Sequence, residues 1–298
     1  LLRSVEPLRA EHERDIPALL KESAQLLIED EPYEAHEAVK KARSLTKKNS
    51  NSDLLCSLAE EKVLRALGRN SDADAVLKQV AALGGIGTGD EALARLIQRA
   101  WNRDEYDEAL GQIRMLRARM PKSPLLPAME QIEGAVFDAK RLPDEAAASF
   151  ARVARNAETP QAKAKASRSL AWLEYRRKNF AGAARAFALG AEQSAAAIDR
   201  LYKAPGGSNP RLPQRELRDN LDERFHHLYW LAQSLTKLSD SERASLPTKM
   251  RDANAVLNEL LDLAPRQYYG LLAAKALKRS APALVPDDST LGGCMLPS

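Results

Sequence analysis

The chain has 298 residues, a formal net charge of +4 and 44% hydrophobic residues, which is typical of a globular protein with a substantial core. Charged residues make up 29% and aromatic residues only 5%, and alanine is abundant, so close-packed solvated helices are favoured over a β-rich fold. This composition excludes collagen-like, disordered and disulfide-scaffold proteins. No uncharged apolar run reaches 18 residues, so the sequence predicts no transmembrane segment. Cys56 and Cys294 lie far apart in the sequence and indicate no disulfide framework.

A helix-turn-helix pattern recurs from residue 33 to residue 190. In each copy an apolar-periodic helix is followed by a short polar turn and an alanine-rich helix. The alanine-rich helices are expected at 69–82, 104–116, 142–154 and 179–190, and the helices before them at 53–67, 92–101, 125–137 and 162–175. Four copies have an anchor three residues before the first small residue of the second helix, at Asn70, Tyr106, Pro143 and Phe180. Tyr33 lies in a similar place, although His36 replaces the small residue there.

The anchors are 37, 36, 37 and 37 residues apart, close to the period of tetratricopeptide-type repeats. An aromatic anchor is expected to pack on the preceding helix, and the small residue lets two backbones approach. Because one hairpin cannot bury its apolar face alone, neighbouring hairpins should stack. The sequence therefore predicts an all-α fold, a superhelical solenoid of stacked, tetratricopeptide-like helix-turn-helix hairpins. A set of unrelated, evenly spaced amphipathic helices is the alternative.

The regular step ends after Leu201. Residues 204–214 form a Pro/Gly insertion that is expected to be non-helical, followed by helices at 217–238, 248–263 and 268–277. A connection is expected between the first two, and a linker or frayed tail from residue 280. We therefore assign 1–265 to an α-superhelical repeat domain and 266–298 to a short helix and the start of a linker. The chain begins with Leu1, so the natural N-terminus and any signal peptide are expected to be missing.

Catalytic, cofactor and metal sites are not expected. His226 and His227 are adjacent, so they point about 100° apart on a helix, and a pair of Glu223 with His227 supplies only two ligands. The glycine-rich run 84–90 lacks the lysine of a phosphate-binding loop, so we interpret it as a linker. The run 291–294 looks like a lipid-attachment box, but it lies at the wrong end of the chain.

Basic residues cluster in two places, at 40–48 and at 152–178. The second cluster is the candidate ligand-facing set, and its members are Arg152, Arg155, Lys163, Lys165, Arg168, Arg176, Arg177 and Lys178. Solvated helix faces are one interpretation, and a groove for an anionic polymer or acidic partner is the other. No nucleic-acid partner is expected, because aromatic residues are not interleaved for base stacking.

Two motifs lie in the last third of the chain. Tyr229 and Trp230 open the helix YWLAQSLTKL, and about forty residues later comes RQYYGLLAA. The residues that carry this pair of motifs are Tyr229, Trp230, Tyr268, Tyr269, Gly270, Ala273 and Ala274. The pair resembles the soluble lytic transglycosylases of bacterial cell walls, in which an α-superhelix of irregular hairpins precedes a linker and a lysozyme-like catalytic domain. Read from the residues alone, these positions are helix-packing positions.

The resemblance implies a periplasmic, non-catalytic superhelical domain that binds or positions peptidoglycan glycan strands. The family's catalytic domain would need a Glu-Ser pair followed by Gly-Leu-Met-Gln, and the only such pair here is Glu22-Ser23, without that continuation. We therefore expect no glycosidase chemistry from this chain itself. The alternatives are a tetratricopeptide-like adaptor for a protein or peptide partner and an enzyme with an unrecognised site.

Overall fold

The computed structural model describes residues 15–203, 214–247 and 251–279. These residues form fourteen α-helices and no β-strand, and consecutive helices pack against one another, which confirms the all-α solenoid. The helices are α1 (Ile16–Ile28), α2 (Pro32–Ser44), α3 (Asn51–Ala66), α4 (Asn70–Leu83), α5 (Gly89–Asn102), α6 (Tyr106–Arg119), α7 (Leu126–Ala139), α8 (Pro143–Asn156), α9 (Pro160–Arg176), α10 (Phe180–Lys203), α11 (Gln214–Leu235), α12 (Asp240–Ala244), α13 (Ala253–Leu263) and α14 (Tyr268–Ala276).

The chain divides into two compact units, 1–133 and 134–298. Within the first unit, each helix from α1 to α6 packs on the next. Within the second, α8 to α11 do the same, and α11, α13 and α14 pack together. The predicted domain boundary after residue 265 stays a prediction. In the part of the chain that the structure describes, no helix is both long and apolar enough to cross a membrane.

The hairpin turns repeat one backbone geometry. Two residues before the second helix, the chain passes through the left-handed region at Asp30, Gly68, Asp104, Arg141 and Lys178, with φ between 59° and 73°. The next residue donates its N–H to the carbonyl five residues back, at 2.8–2.9 Å in all five turns. This is the hydrogen bond of a Schellman motif, which satisfies a carbonyl in the last turn of the first helix and so ends that helix.

The small residues predicted to permit close helix approach are fully buried. Ala73, Ala109, Ala146 and Ala183 each expose 0% of their surface, and each lies three residues after the start of its helix. In the first hairpin the prediction is wrong by one residue. Tyr33 is 73% exposed, and Pro32 begins the helix, with Ala35 as the buried small residue. A leading proline preorganises the first turn, as it also does at Pro143.

Buried ion pairs reinforce the apolar core of the first unit. Glu61 of α3 is 1% exposed and accepts hydrogen bonds from Arg95, at 2.6 Å, and from Arg99, both on α5. Arg99 also binds Asp74 of α4. Arg99 thus links α3, α4 and α5, and the charge of the buried Glu61 is compensated by two guanidinium groups, as burial requires.

The region after α10 differs from the prediction in helix boundaries and in one additional helix, and α13 begins at Ala253, with Arg251 and Asp252 outside it. Gln214, placed in the non-helical insertion, is the first residue of α11, and the short helix α12 lies in the expected connection. The rest of the insertion, the tail from residue 280 and the 291–294 run lie outside the described residues.

Candidate functional site

A cavity of about 570 Å³ opens in the second unit among α9, α11 and α14. Its lining is mostly polar and consists of Gln161, Ala164, Lys165, Arg168, Glu216, Asp219, Asn220, Asp222, Glu223, His226 and Tyr269. Volumes of this size accommodate small ligands, and a few convergent polar groups then fix the ligand's orientation. We therefore take this cavity as the candidate binding site.

Two cross-links between α9 and α11 frame the cavity. Gln161 Nε2 donates to Glu216 Oε1 at 3.2 Å, and Arg168 Nη1 donates to Glu223 Oε2 at 2.7 Å. Both links join residues 55 positions apart, so the two helices run parallel and in register. Seven residues of helix span about 10 Å. Between the links α9 carries the small, buried Ala164, which leaves room for the cavity.

The charges in the cavity are divided between the helices. α9 supplies the cations Lys165 and Arg168, and α11 supplies four carboxylates. Arg168 is paired with Glu223, whereas Asp219 and Asp222 form no ion pair among the described residues. Partial burial raises the pKa of Asp222, Arg218 opposes this rise, and Asp219 adds to it. The lining therefore carries an excess of negative charge beside two fixed cations.

Glu223 is held ionised by its neighbours. Burial favours the neutral acid, but a contact with His227 and the charge of Arg168 outweigh it and lower the pKa of Glu223. The His227 Nε2 to Glu223 Oε1 distance is 3.4 Å, which is long for a hydrogen bond, and neither atom has a closer partner. His227 itself is fully buried against Gly190 of α10, where a side chain of any size would collide with the imidazole ring.

Aromatic rings form the apolar side of the cavity. Tyr269 of α14 lies 5.8 Å from the His226 ring and 5.7 Å from the Tyr229 ring, measured between centroids. Behind them, the ring centroids of Trp230 and Trp172 are 4.6 Å apart, with an angle of 62° between the ring planes. Burial lowers the pKa of His226 to about 4, with His227 and Arg168 acting in the same direction and Glu223 against it. His226 is therefore a neutral wall of the cavity at pH 7.

The two motifs from the last third of the chain lie close together, and one of their residues lines this cavity. Tyr229 and Trp230 are partly buried beneath it, Tyr269 lines it, and Tyr268 is 68% exposed. Gly270 faces the carbonyl of Ala264, where a Cβ atom would overlap the oxygen. Ala273 and Ala274 are buried, at 0% and 1% exposure.

The candidate basic residues are not gathered at one place. Lys165 and Arg168 line the cavity, whereas Arg176 and Arg177 bind Asp138 and Asp144 of the preceding helices α7 and α8. The remaining exposed members are Arg155, at the end of α8, and Lys178, in the left-handed turn. Lys163 is half-buried on α9, and Arg152 of α8 contacts Ser149 Oγ at 3.4 Å. That the eight basic residues face a ligand stays a prediction.

Sequence reasoning considered Glu223 only as a possible metal ligand and missed the other carboxylates of α11 that line the cavity. Glu216, Asp219, Glu223 and His226 follow one another at intervals of three, four and three, which places them on one helix face. That spacing was available as a signal, but charged faces of helices are usually only solvated. No group of three potential metal ligands is close enough to hold an ion anywhere in 15–203, 214–247 or 251–279.

Comparison with known proteins adds no assignment. No protein-family model matches the sequence, and no curated protein matches it.

Proposed function

We propose that this chain is a non-catalytic helical scaffold that binds peptidoglycan glycan strands and positions them for a catalytic domain, in the manner of the superhelical domain of lytic transglycosylases. The observation that supports it is the junction of the two motifs: Tyr229 from the first and Tyr269 from the second are in ring contact, and Tyr269 lines the polar cavity. On this proposal the protein works in the periplasm.

The state of the most buried carboxylate in the cavity favours binding over hydrolysis. A glycosidase needs a carboxylic acid that stays protonated until it donates to the leaving oxygen, and such groups have raised pKa values. Glu223 has the opposite environment, because Arg168 and His227 lower its pKa. The other groups that line the cavity are hydrogen-bonding side chains and the aromatic ring of Tyr269, and these suit recognition of a polar polymer.

The test is retention of the full chain on purified sacculi in a cosedimentation assay at low salt. We expect retention, and we expect Asp219→Lys in the cavity to reduce it. Asp199→Lys is the matched control, because Asp199 is an exposed carboxylate of α10 that pairs with Lys203 and lies outside the cavity lining. Absence of wild-type retention, or equal loss in both variants, would contradict the proposal.

A second candidate is a tetratricopeptide-like adaptor for a protein or peptide partner. The observation that favours it is the excess of carboxylates in the cavity, which would attract a basic peptide segment. Affinity purification from the source organism distinguishes the two functions. One stoichiometric protein partner together with no sacculus binding would support the adaptor.

A further inference from the structure

The cavity offers opposite charges at matched heights of two parallel helices. The constant offset of 55 residues between α9 and α11 places Lys165 at the level of Asn220, one residue from Asp219. Lys165 and Asp219 are both exposed, and neither forms an ion pair in the described part of the chain. A ligand in the cavity therefore meets a cationic helix and an anionic helix at once.

We propose that the cavity binds the peptide stems of peptidoglycan, taking a stem carboxylate on Lys165 and Arg168 and a stem ammonium on Asp219 and Asp222. This inference rests on the proposed function and specifies which part of the polymer the cavity recognises. A ligand that carries both charges satisfies both helices. A neutral sugar would form an ion pair with neither Lys165 nor Asp219, and a purely basic peptide would form none with Lys165.

The geometry of Arg168 suits this role. Only its Nη1 is used in the bond to Glu223, and 43% of the side chain is exposed, so other N–H donors of the guanidinium can reach a second carboxylate. Ala164 beside it has no side-chain atoms beyond Cβ that could fill the space. Tyr269 lines the cavity with an aromatic ring that can contact the aliphatic part of a stem residue.

In the direct test, the full chain is titrated with the tripeptide Ala-Glu-Lys, which has free termini, and binding is measured by calorimetry. We expect saturable binding with Kd at or below about 1 mM. Amidating both carboxylates, or acetylating both amines, should each weaken it at least about tenfold, because a charge-assisted hydrogen bond is lost. The double variant Asp219→Asn/Asp222→Asn and the variant Lys165→Met should each weaken it similarly, whereas Asp199→Asn should not. Equal binding of the amidated or acetylated tripeptide would overturn the inference.

A second experiment, with sacculi, tests this inference separately from the proposed function. The full chain is compared on intact sacculi and on glycan strands from which an amidase has removed the stems. Retention on intact sacculi alone supports stem recognition. Equal retention on both overturns the inference and leaves the proposed function standing, and retention on neither overturns both. Binding of the tripeptide without retention on sacculi also overturns the stem assignment and favours the adaptor.

Discussion

The left-handed residues of the hairpin turns show how the repeat is encoded at single positions. The five residues occupy equivalent places in the turns, yet only Gly68 has the residue type that tolerates a positive φ without cost. Lys178, at φ 62°, and Arg141, at φ 59°, adopt the same conformation with full side chains. The surrounding Schellman hydrogen bonds impose the conformation, so these side chains carry local strain.

Replacing Lys178 by glycine should therefore stabilise the protein. We expect Lys178→Gly to raise the free energy of unfolding by up to about 1 kcal/mol, because glycine has no Cβ atom and so removes the steric strain at this left-handed position. The reciprocal change Gly68→Ala should lower it by a similar amount. Urea midpoints of the two variants test this, and a Lys178→Gly variant no more stable than wild type would contradict it.

Protonation of His226 should destabilise the second unit in mild acid. Its pKa is depressed to about 4 in the folded chain, against about 6.5 in an unfolded chain. In between, the unfolded state binds a proton that the folded state does not, so stability is complete above pH 6.5 and falls as the pH drops toward 4. The groups around the ring are His227, Glu223, Arg168 and Tyr269.

The variant His226→Phe isolates this contribution, because it keeps an aromatic ring in the cluster and removes the proton site. We expect wild-type melting temperature to fall between pH 7 and pH 5 and the variant to lose less over the same range. Thermal melts followed by circular dichroism give the comparison. Parallel pH profiles would show that His226 is not the group responsible.

At the scale of elements, amphipathic spacing was sufficient to locate most helices, because a buried stripe must recur every three to four residues. The alanine positions could be read for the same reason, since only a small residue permits close backbone approach. Helix α12 was missed although Ser239 and Glu242 form a capping box, a signal present in the sequence. The cavity could not be predicted, because it depends on the register of α9 against α11, which is set by packing across 55 residues of chain.

The packing of α14 should depend on the absence of a side chain at Gly270. Gly270→Ala would push α14 away from the Ala264 carbonyl, and overpacking of this kind costs about 1–3 kcal/mol. Gly111→Ala in α6 is the matched control. Nothing lies within 4 Å of its added Cβ, so the exchange should stabilise that helix by about 0.5–1 kcal/mol.

Chemical denaturation of both variants, with tryptophan fluorescence as the readout, tests the contrast. Opposite signs are expected, destabilising at residue 270 and stabilising at residue 111. A Gly270→Ala variant as stable as wild type would show that the close approach of α14 contributes nothing to its docking.

At the scale of the whole molecule, stability in a helical repeat chain is a sum of local terms and nearest-neighbour interfaces. Each unit has a core of its own: Leu77 is fully buried among residues of α3 to α7 in the first, and Phe187 is fully buried among residues of α9 to α14 in the second. Damage to one core should therefore remain in the helices that border it.

Hydrogen exchange measured by mass spectrometry tests this locality. We expect Leu77→Ala, which leaves a cavity costing about 2–5 kcal/mol, to raise exchange in α3, α4 and α5 and to leave α10 and α11 unchanged. Phe187→Ala should give the reverse, with faster exchange in α9, α10 and α11 and none in α4. Loss of protection along the entire chain in both variants would instead require one cooperative unit, because a nearest-neighbour chain transmits the loss only as far as the broken interface.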